Sequence, residues 1–159
     1  MTPIRYVQGD ATSPQASGAK IIVHCCNDLG SWGAGFVLAL SARWLEPEAE
    51  YRAWHKVGVA GGFALGAVQF VPVRADITVA NLIGQRGIKK GSKGPPVRYE
   101  AIAAGLSKVG DHAVATKASV HMPRIGCGLA GGKWELVEPL VQQALSARGV
   151  TVTVYDFGG

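Results

Sequence analysis

The segment "PRIGCGLAGGKW" (residues 123–134) spaces Gly126, Gly128 and Gly131 as G-x-G-x-x-G. Its first three residues end the strand-like run "ASVHMPRI" (118–125), and an amphipathic stretch begins near Lys133. A glycine-rich turn between a strand and a helix exposes backbone N–H groups, and the start of the helix adds partial positive charge. The segment therefore indicates an α/β fold and a site for phosphate groups, with a tight turn that binds nothing as the alternative.

Two nucleotide-binding motifs share this glycine pattern, and the sequence departs from both. The dinucleotide-binding fingerprint belongs to the first strand–helix turn of two mononucleotide-binding halves, whereas one helix and one strand at most can follow Gly131. The P-loop continues Gly-Lys with Ser or Thr, whereas Trp134 follows Lys133 here. What remains is the shared physics of backbone amides that surround a phosphate.

A second segment of the same kind lies earlier in the chain. "HCCNDLGSWGAGFVLAL" (24–40) also reads as a strand, a glycine-rich loop with Gly30, Gly33 and Gly35, and a helix. In an open α/β sheet, ligands bind in the crevice outside the carboxyl ends of the strands. Two such loops are expected to face each other there, around one ligand that carries two phosphates and two sugars.

The rest of the chain alternates between strand-like and helix-like patterns. The predicted strands are 3–9, 19–26, 66–73, 77–84, 118–125 and 150–157. The predicted helices are 35–44, 46–58, 97–116 and 133–149, the third with a break at Gly110. The alternation predicts a mixed, mostly parallel sheet covered by helices on both faces, within a single domain of residues 1–159.

Composition limits the class of protein. The 159 residues are 48% apolar with 22 glycines, which indicates an ordered globular chain. The start "MTPIRYVQGD" does not resemble a signal peptide, and no apolar run is long enough to span a membrane. The cysteines, Cys25, Cys26 and Cys127, form no C-x-x-C pair. We expect a reduced, cytoplasmic, monomeric protein.

The net charge of +5 suits anionic ligands. The densest basic cluster, "RGIKKGSKGPPVR" (86–98), is interrupted by Gly and Pro and is interpreted as a solvated surface loop. The alternative is direct binding of nucleic acid, which predicts a steep loss of affinity with salt. The residues that would carry it are Arg86, Lys89, Lys90, Lys93 and Arg98.

Four separated motifs together resemble one known family. They are "YVQGDAT" (6–12), "NDLGSWGAGF" (27–36), "RIGCGLAGG" (124–132) and "TVYDF" (153–157). In this order and spacing they resemble the macro domain, an ADP-ribose-binding module, over nearly the whole chain. "MPRIGCGL" with a tryptophan shortly after it, and the ending "TVY", are most similar to the terminal ADP-ribose protein glycohydrolase subclass. The resemblance implies a three-layer α-β-α fold with a mixed, mostly parallel central sheet.

The resemblance also implies a role for each motif. Asp10 receives the amino group of adenine, the first glycine loop surrounds the distal ribose, and the second wraps the diphosphate. Phe157, with Tyr155 as the alternative, packs on adenine, and such stacking is typically worth about 1–3 kcal/mol per base. No cofactor and no metal is implied. The implied ligand-binding residues are Asp10, Ala11, Asn27, Gly33, Ala34, Gly35, Arg124, Ile125, Gly126, Cys127, Gly128, Leu129, Ala130 and Phe157.

Several side chains also have a purely structural interpretation. Asp10 could cap a turn with Thr12, and Asn27 could be a turn residue. His24 lies within an apolar strand and is interpreted as a core histidine rather than a base. Cys127 sits at a helix start that would lower the pKa of its thiol, but no partner base is visible, so we interpret it as a packing residue. The sequence shows no metal-ligand spacing.

The subclass is known for a lysine that attacks the sugar and an aspartate in the second loop that acts as base. The position that matches the aspartate is Ala130, and the lysine position falls in "LIGQRG" (82–87) at or beside Gln85. Neither Gln85 nor Arg86 is an amine nucleophile. A lysine adduct is therefore not expected, and the loss of a general base usually costs about 10²–10⁴ in rate.

Two functional hypotheses follow. The favoured one is a hydrolase that removes ADP-ribose from acidic protein side chains by a substrate-assisted attack of water. Asn27 would orient the distal ribose, Asp28 would position water, and Gln85 and Arg86 would line the acceptor side. The other is a non-catalytic reader of ADP-ribose or ADP-ribosylated proteins; hydrolysis of ADP-ribose from nucleic acid or of O-acetyl-ADP-ribose are further alternatives. The enzyme is favoured because a stand-alone domain has no attached module to recruit.

Overall fold

The computed structural model describes residues 2–88, 94–128 and 130–157. Within them, the strands are β1 (Arg5–Gln8), β2 (Lys20–Asn27), β3 (Val68–Arg74), β4 (Ile77–Gln85), β5 (Ser119–Met122) and β6 (Val152–Asp156). The helices are α1 (Phe36–Arg43), α2 (Glu46–Val57), α3 (Tyr99–Thr116) and α4 (Trp134–Ala144). Short 3₁₀ turns cover Gly58–Gly61 and Ser146–Arg148.

All six strands join one sheet in the order β1-β6-β5-β2-β4-β3. β3 pairs antiparallel with β4, and every other neighbouring pair in this sheet is parallel. The prediction of a mixed, mostly parallel sheet is confirmed. Because parallel strands end at the same edge, the segments that follow β1, β2, β4, β5 and β6 come together there.

Successive side chains of the central strand β2 pack on opposite faces of the sheet. Ile21 and Val23 pack in a core with side chains of α3 and α4. Ile22 and Cys26 pack in a second core with side chains of α1 and α2. Burial on both faces explains why β2 is a continuous apolar run rather than an alternating one. The result is three layers, α-β-α, as expected.

The predicted break in the third helix is wrong, because α3 runs without interruption to Thr116. A Cβ atom at Gly110 would lie 2.5 Å from both the Ala144 carbonyl oxygen and the Arg148 guanidinium. This glycine therefore allows a close approach between α3 and the end of α4 instead of breaking the helix. No helix within the described residues combines the length and the apolar character needed to cross a bilayer.

Two other boundaries differ from the prediction. The last helix ends at Ala144 and is followed by the 3₁₀ turn Ser146–Arg148, rather than continuing to residue 149. β5 ends at Met122, directly before Pro123, which cannot donate to the strand ladder. The segment from Pro123 onward is thus free to form the second glycine loop.

Candidate functional site

Three adjoining clefts form a groove along the edge where the parallel strands end. The central cleft, of about 210 Å³, lies between the two glycine loops. It shares Gly35 and Phe36 with an apolar cleft of about 400 Å³ that includes Asp10 and Phe157. At its other end it shares Gln85 with a distal cleft of about 170 Å³. The groove therefore has an apolar end, a glycine-rich middle and a distal end.

Most of the residues expected to bind ligand line this groove. Those that do are Asp10, Ala11, Asn27, Gly33, Ala34, Gly35, Arg124, Ile125, Gly126, Gly128, Ala130 and Phe157. Cys127 is not among the residues that line the three clefts, and Leu129 lies outside the described residues. The topology thus assembles residues from four separate segments, at the ends of β1, β2, β5 and β6, into one surface.

The first wall of the central cleft is the start of α1. Gly35, the residue before the helix, has a φ of 79°, in the left-handed region that favours glycine. No side chain within the described residues caps the first turn of α1. The N–H of Leu38 donates to the Gly35 carbonyl oxygen at 3.1 Å. The N–H groups of Phe36 and Val37 and the positive end of the helix dipole are therefore the part of this turn that can meet an anion in the cleft.

The second wall is the loop after β5, and its glycines serve different purposes. Gly126 has a φ of 74°, and a Cβ atom there would press on Ile102 at 2.9 Å. The N–H of Gly132 donates to the carbonyl oxygen of Gly126 at 2.7 Å, so the loop closes on itself. Gly128 lines the central cleft, and a Cβ atom there would meet nothing within 4 Å. Gly126 and Gly132 shape the loop, while Gly128 borders the open space.

Asp10 both caps a turn and lines the apolar cleft. Its Oδ1 accepts hydrogen bonds from the N–H and the hydroxyl of Thr12, at 2.8 and 2.7 Å. Its Oδ2 lies 3.6 Å from the Arg43 guanidinium. Partial burial raises the pKa of the Asp10 carboxyl, but the bonds from Thr12 and the charge of Arg43 outweigh it and lower the pKa overall. The side chain is therefore an ionised acceptor at neutral pH.

Phe157 and Tyr155 differ in how free their rings are. Phe157 is 81% exposed, whereas Tyr155 is 6% exposed. The Tyr155 hydroxyl is also 2.7 Å from Nδ1 of the buried His121. Both residues line the apolar cleft. Leu38 of α1 lines it too and is 56% exposed, a contribution that the sequence reasoning missed although its place on an exposed helix face was a signal.

The side chain of Asn27 organises the first loop. Its Oδ1 accepts hydrogen bonds from the N–H groups of Leu29 and Ser31 and from the hydroxyl of Tyr51, at 2.9, 3.1 and 2.9 Å. Its Nδ2 donates to the Ser31 carbonyl oxygen at 2.8 Å. Asn27 thus acts as a turn residue while it lines the distal cleft, and its role toward a ribose stays a prediction.

Asp28 and Gln85 tie the ends of β2 and β4 together. Asp28 Oδ1 accepts from the N–H of Gly87 at 2.7 Å, and its own N–H donates to the Gln85 carbonyl oxygen at 3.1 Å. Gln85 Nε2 donates to the Gly87 carbonyl oxygen at 2.9 Å. Arg86 is exposed, and the described lining of the groove does not include it. Of the four predicted catalytic residues, Asn27 and Gln85 line the groove, whereas neither Asp28 nor Arg86 is among its described lining residues.

His24 is a core residue, as interpreted from the sequence. Its Nε2 lies 2.5 Å from Oδ1 of Asn81, whose Nδ2 donates to the Pro47 carbonyl oxygen. Because Oδ1 can only accept, Nε2 of His24 carries the proton. Burial lowers the pKa of His24 to about 4, against the weaker effect of the Asn81 bond. The ring is neutral and fixed at neutral pH.

The cysteines near the groove are also protonated. Desolvation raises the pKa of the Cys25 thiol to about 12. Desolvation also raises the pKa of Cys127, although the nearby Arg124 charge acts in the opposite direction. Cys127 Sγ lies 3.4 Å from the Ile125 carbonyl oxygen. This agrees with a packing role for Cys127. Nowhere in residues 2–88, 94–128 and 130–157 do three His, Cys, Asp or Glu side chains group to hold a metal ion.

Arg124 lines the central cleft, but its guanidinium is occupied elsewhere. Nε and Nη2 donate to the two carboxylate oxygens of Asp156, at 2.7 and 3.0 Å. Its Cζ lies 5.2 Å from the centre of the Tyr6 ring and 5.4 Å from that of Trp134. The Arg124 bonds hold the pKa of Asp156 below its usual range. Sequence reasoning missed this group of contacts.

The basic loop of residues 86–98 is described only in part. Nη1 of Arg98 donates to the carbonyl oxygens of Pro95, Pro96 and Val97, at 2.7, 3.0 and 2.9 Å. Arg98 therefore fixes the local backbone. Lys89, Lys90 and Lys93 lie outside the described residues. A nucleic-acid surface in this loop stays a hypothesis.

The whole chain is similar in sequence and in fold to proteins of known structure. No family model matches the chain. A macrodomain protein from Streptomyces coelicolor is 58% identical, with a TM-score of 0.89 over 98% of this chain and 100% of that one. A protein of unknown function from Bacteroides thetaiotaomicron is 56% identical, with a TM-score of 0.94 over 98% of each chain.

Curated relatives are more distant or much longer. Chromodomain-helicase-DNA-binding protein 1-like from Danio rerio is 37% identical over 98% of this chain, which spans only 16% of that relative. The bovine (Bos taurus) protein named ADP-ribose glycohydrolase OARD1 is 27% identical over 96% of this chain and 90% of its own length. With the full-length similarity to the Streptomyces protein, the fold and the groove lead to one conclusion: the chain belongs to the macrodomain family.

Proposed function

We propose that the groove binds ADP-ribose and that the protein hydrolyses ADP-ribosyl esters on acidic protein side chains. The observation that carries the proposal is the order of the three clefts. An apolar cleft with an ionised carboxylate, a glycine-rich cleft at an uncapped helix start, and a distal cleft follow each other. Adenine, diphosphate and terminal ribose follow each other in the same order in ADP-ribose.

At the apolar end, Asp10 Oδ2 would accept a hydrogen bond from the amino group of adenine. Phe157 has an exposed ring for stacking on the base. In the central cleft, the amides of the first turn of α1 and of the loop around Gly128 would bind the diphosphate, as helix starts and glycine loops bind phosphates generally. The terminal ribose would then reach the distal cleft beside Asn27 and Gln85.

Family membership supports ligand binding, and the relative named as an ADP-ribose glycohydrolase supports a hydrolase. The distal cleft supports a particular mechanism. Its described lining offers the amides of Asn27 and Gln85, the hydroxyl of Ser31 and two thiols. It offers no carboxylate, amine or imidazole in that described lining, so the reaction would depend on positioning and on the substrate's own phosphate.

In this mechanism a substrate phosphate oxygen holds a water molecule in the distal cleft. The Asp28 carboxylate directly follows the lining residue Asn27, although it is not itself in the described lining, and would help to orient that water. The water oxygen bonds to the anomeric carbon as the bond from that carbon to the acceptor's carboxylate oxygen breaks. The electron pair leaves on the carboxylate, which is a stable anion, and the proton of the water passes to the phosphate oxygen. Asp28 would orient the water through Oδ2, because Oδ1 already accepts from Gly87.

Single-turnover release of ADP-ribose from a glutamate-linked peptide tests this proposal. We expect release faster than in buffer, and a slower rate with Asp28→Asn, whose amide oxygen can still accept from the Gly87 N–H. Asp111→Asn is the matched control, because Asp111 is exposed and pairs with Arg148 outside the groove. Calorimetry with ADP-ribose separates binding from turnover. Release no faster than in buffer would refute hydrolysis of this ester.

The second candidate is a reader that binds the ADP-ribosyl group without cleaving it. The observation in its favour is the absence of a general base in the described lining of the distal cleft. Tight binding of ADP-ribose combined with no release from the glutamate-linked peptide would select the reader. No binding at millimolar ADP-ribose would refute both candidates.

A further inference from the structure

Arg124 sits at the centre of a group of side chains that join separate parts of the chain. Besides its two bonds to Asp156, its guanidinium lies over the rings of Tyr6 and Trp134. Those two rings meet edge to face, with centres 6.4 Å apart. The Tyr6 hydroxyl accepts from Trp134 Nε1 at 3.0 Å and donates to Glu138. We call Arg124, Asp156, Tyr6 and Trp134 the Arg124 clamp.

Each member of the clamp adjoins a segment that lines the groove. Tyr6 lies in β1, which leads into Asp10, and Asp156 directly precedes Phe157. Arg124 begins the second glycine loop, and Trp134 begins the helix that follows it. The clamp therefore links the two strands that carry the adenine-side residues to both ends of the loop that would hold the diphosphate.

We propose that Arg124 is a positioning residue, and that the clamp sets the distance and orientation between the apolar cleft and the second glycine loop. ADP-ribose is long enough to contact both, so a fixed separation lowers the ordering that binding would otherwise require. The inference rests on the proposed binding of ADP-ribose. It adds the residues that hold the apolar cleft and the second glycine loop at a fixed separation.

The alternative is that Arg124 binds the diphosphate directly, which its place in the lining of the central cleft would allow. A direct contact would require the guanidinium to leave Asp156 and break two charge-assisted hydrogen bonds. It would also leave the Tyr6 and Trp134 rings without their cation. The observed geometry therefore favours positioning.

Asp156→Asn separates the two roles by the sign of its effect. If Arg124 positions the groove, removing its carboxylate partner weakens ADP-ribose binding, and we expect a loss of about tenfold. If Arg124 binds phosphate, removing a competing carboxylate frees the guanidinium and binding becomes tighter. Arg124→Lys keeps the charge but not the fork, and is expected to weaken binding by a similar factor.

Binding is measured by calorimetry with ADP-ribose, and by NMR titration with adenosine, which reaches only the apolar cleft. The clamp predicts that both variants bind adenosine within about twofold of wild type. Adenosine contacts only the apolar cleft, so its binding does not depend on the separation between that cleft and the second glycine loop. Arg148→Lys is the control, since Arg148 pairs with Asp111 away from the groove. Tighter or unchanged ADP-ribose binding by Asp156→Asn overturns the proposal, as does an equal loss for adenosine.

Thermal denaturation shows whether the variants fold. Should either fail to fold, Tyr6→Phe keeps the ring under Arg124 and removes only the hydroxyl bonds, with an expected loss of about two- to threefold. Should wild-type protein not bind ADP-ribose, the proposed function fails, and the clamp is then judged by amide hydrogen exchange without ligand. Faster exchange at residues 124–128 and 155–157 in Arg124→Lys supports the clamp, and unchanged exchange overturns it.

Discussion

Replacing Phe157 by alanine isolates the contribution of base stacking to ADP-ribose binding. The ring is 81% exposed and lines the apolar cleft, so its removal leaves the buried cores untouched. Stacking of a base on an aromatic side chain is worth about 1–3 kcal/mol by alanine substitution. At about 1.4 kcal/mol for each tenfold change, Phe157→Ala should weaken ADP-ribose binding by about 5- to 150-fold.

Isothermal calorimetry measures this loss, and thermal denaturation shows that it is not a loss of folding. We expect no resolvable change in the melting temperature, because surface substitutions away from the core usually change stability by less than about 0.5 kcal/mol. Val59→Ala, at a residue that is 85% exposed and outside the groove lining, controls for the removal of an exposed apolar side chain. Phe157→Trp should retain binding.

Binding by Phe157→Ala within twofold of wild type would refute the stacking role. If Tyr155→Leu, which removes the ring, then weakened binding instead, the base would lie on the ring of Tyr155, whose hydroxyl contacts His121. If neither substitution mattered, the apolar cleft would not hold the base. The first result would assign base stacking to Tyr155 instead of Phe157, and the second would exclude the apolar cleft as the adenine site.

Three further predictions follow from the geometry. Gly132→Ala should disrupt the second loop and abolish binding, because its Cβ atom would collide with a loop carbonyl oxygen, whereas Gly128→Ala should fold normally by circular dichroism. In the folded protein, ADP-ribose binding measured by calorimetry should persist as the pH falls to 4. It should be lost only at lower pH, since the pKa of Asp10 is lowered in the folded state and its carboxylate no longer contributes once it is protonated. Burial lowers the pKa of both His24 and His121 to about 4. For His121, nearby positive charge acts on the pKa in the same direction as burial. The unfolded chain therefore binds more protons than the folded protein between pH 6.5 and 4. The free energy of unfolding, measured in urea, should fall by about 3 kcal/mol per histidine as the pH drops through that window. The total fall should be smaller in His24→Gln, which has one of the two histidines removed.

The sheet and its helices could be predicted because they depend on local patterns. The unbroken apolar run of β2 indicates a strand that is buried on both faces, and the helices show their apolar period directly. The two glycine loops could be located for the same reason, since Gly126 and Gly35 need backbone conformations that favour glycine. These features are encoded within a few residues of where they act.

The clamp and the uninterrupted third helix could not be predicted in this way. Tyr6 and Trp134 are 128 positions apart in the chain, and Arg124 and Asp156 are 32 apart, so no local period connects them. Gly110 resembles a helix breaker until the end of α4 is seen to pack against it. In each case the tertiary fold brings the contacting residue into place, and the local pattern does not contain that information.

The groove contains polar groups that are already hydrogen-bonded within the protein and others that remain free to contact a ligand. The polar side chains at its distal end are already bonded to backbone: Asn27 to its own loop, and Asp28 and Gln85 to the segment after β4. Side chains held in this way fix the shape of the site before a ligand arrives, which reduces the ordering that binding requires. Among the residues that the structure describes in the central cleft, the groups left to meet an anion are then backbone amides at the start of α1 and around Gly128. Under the proposed function, a groove built on this principle would recognise ADP-ribose by shape and amide placement, and the substrate's own phosphate would accept the proton during hydrolysis.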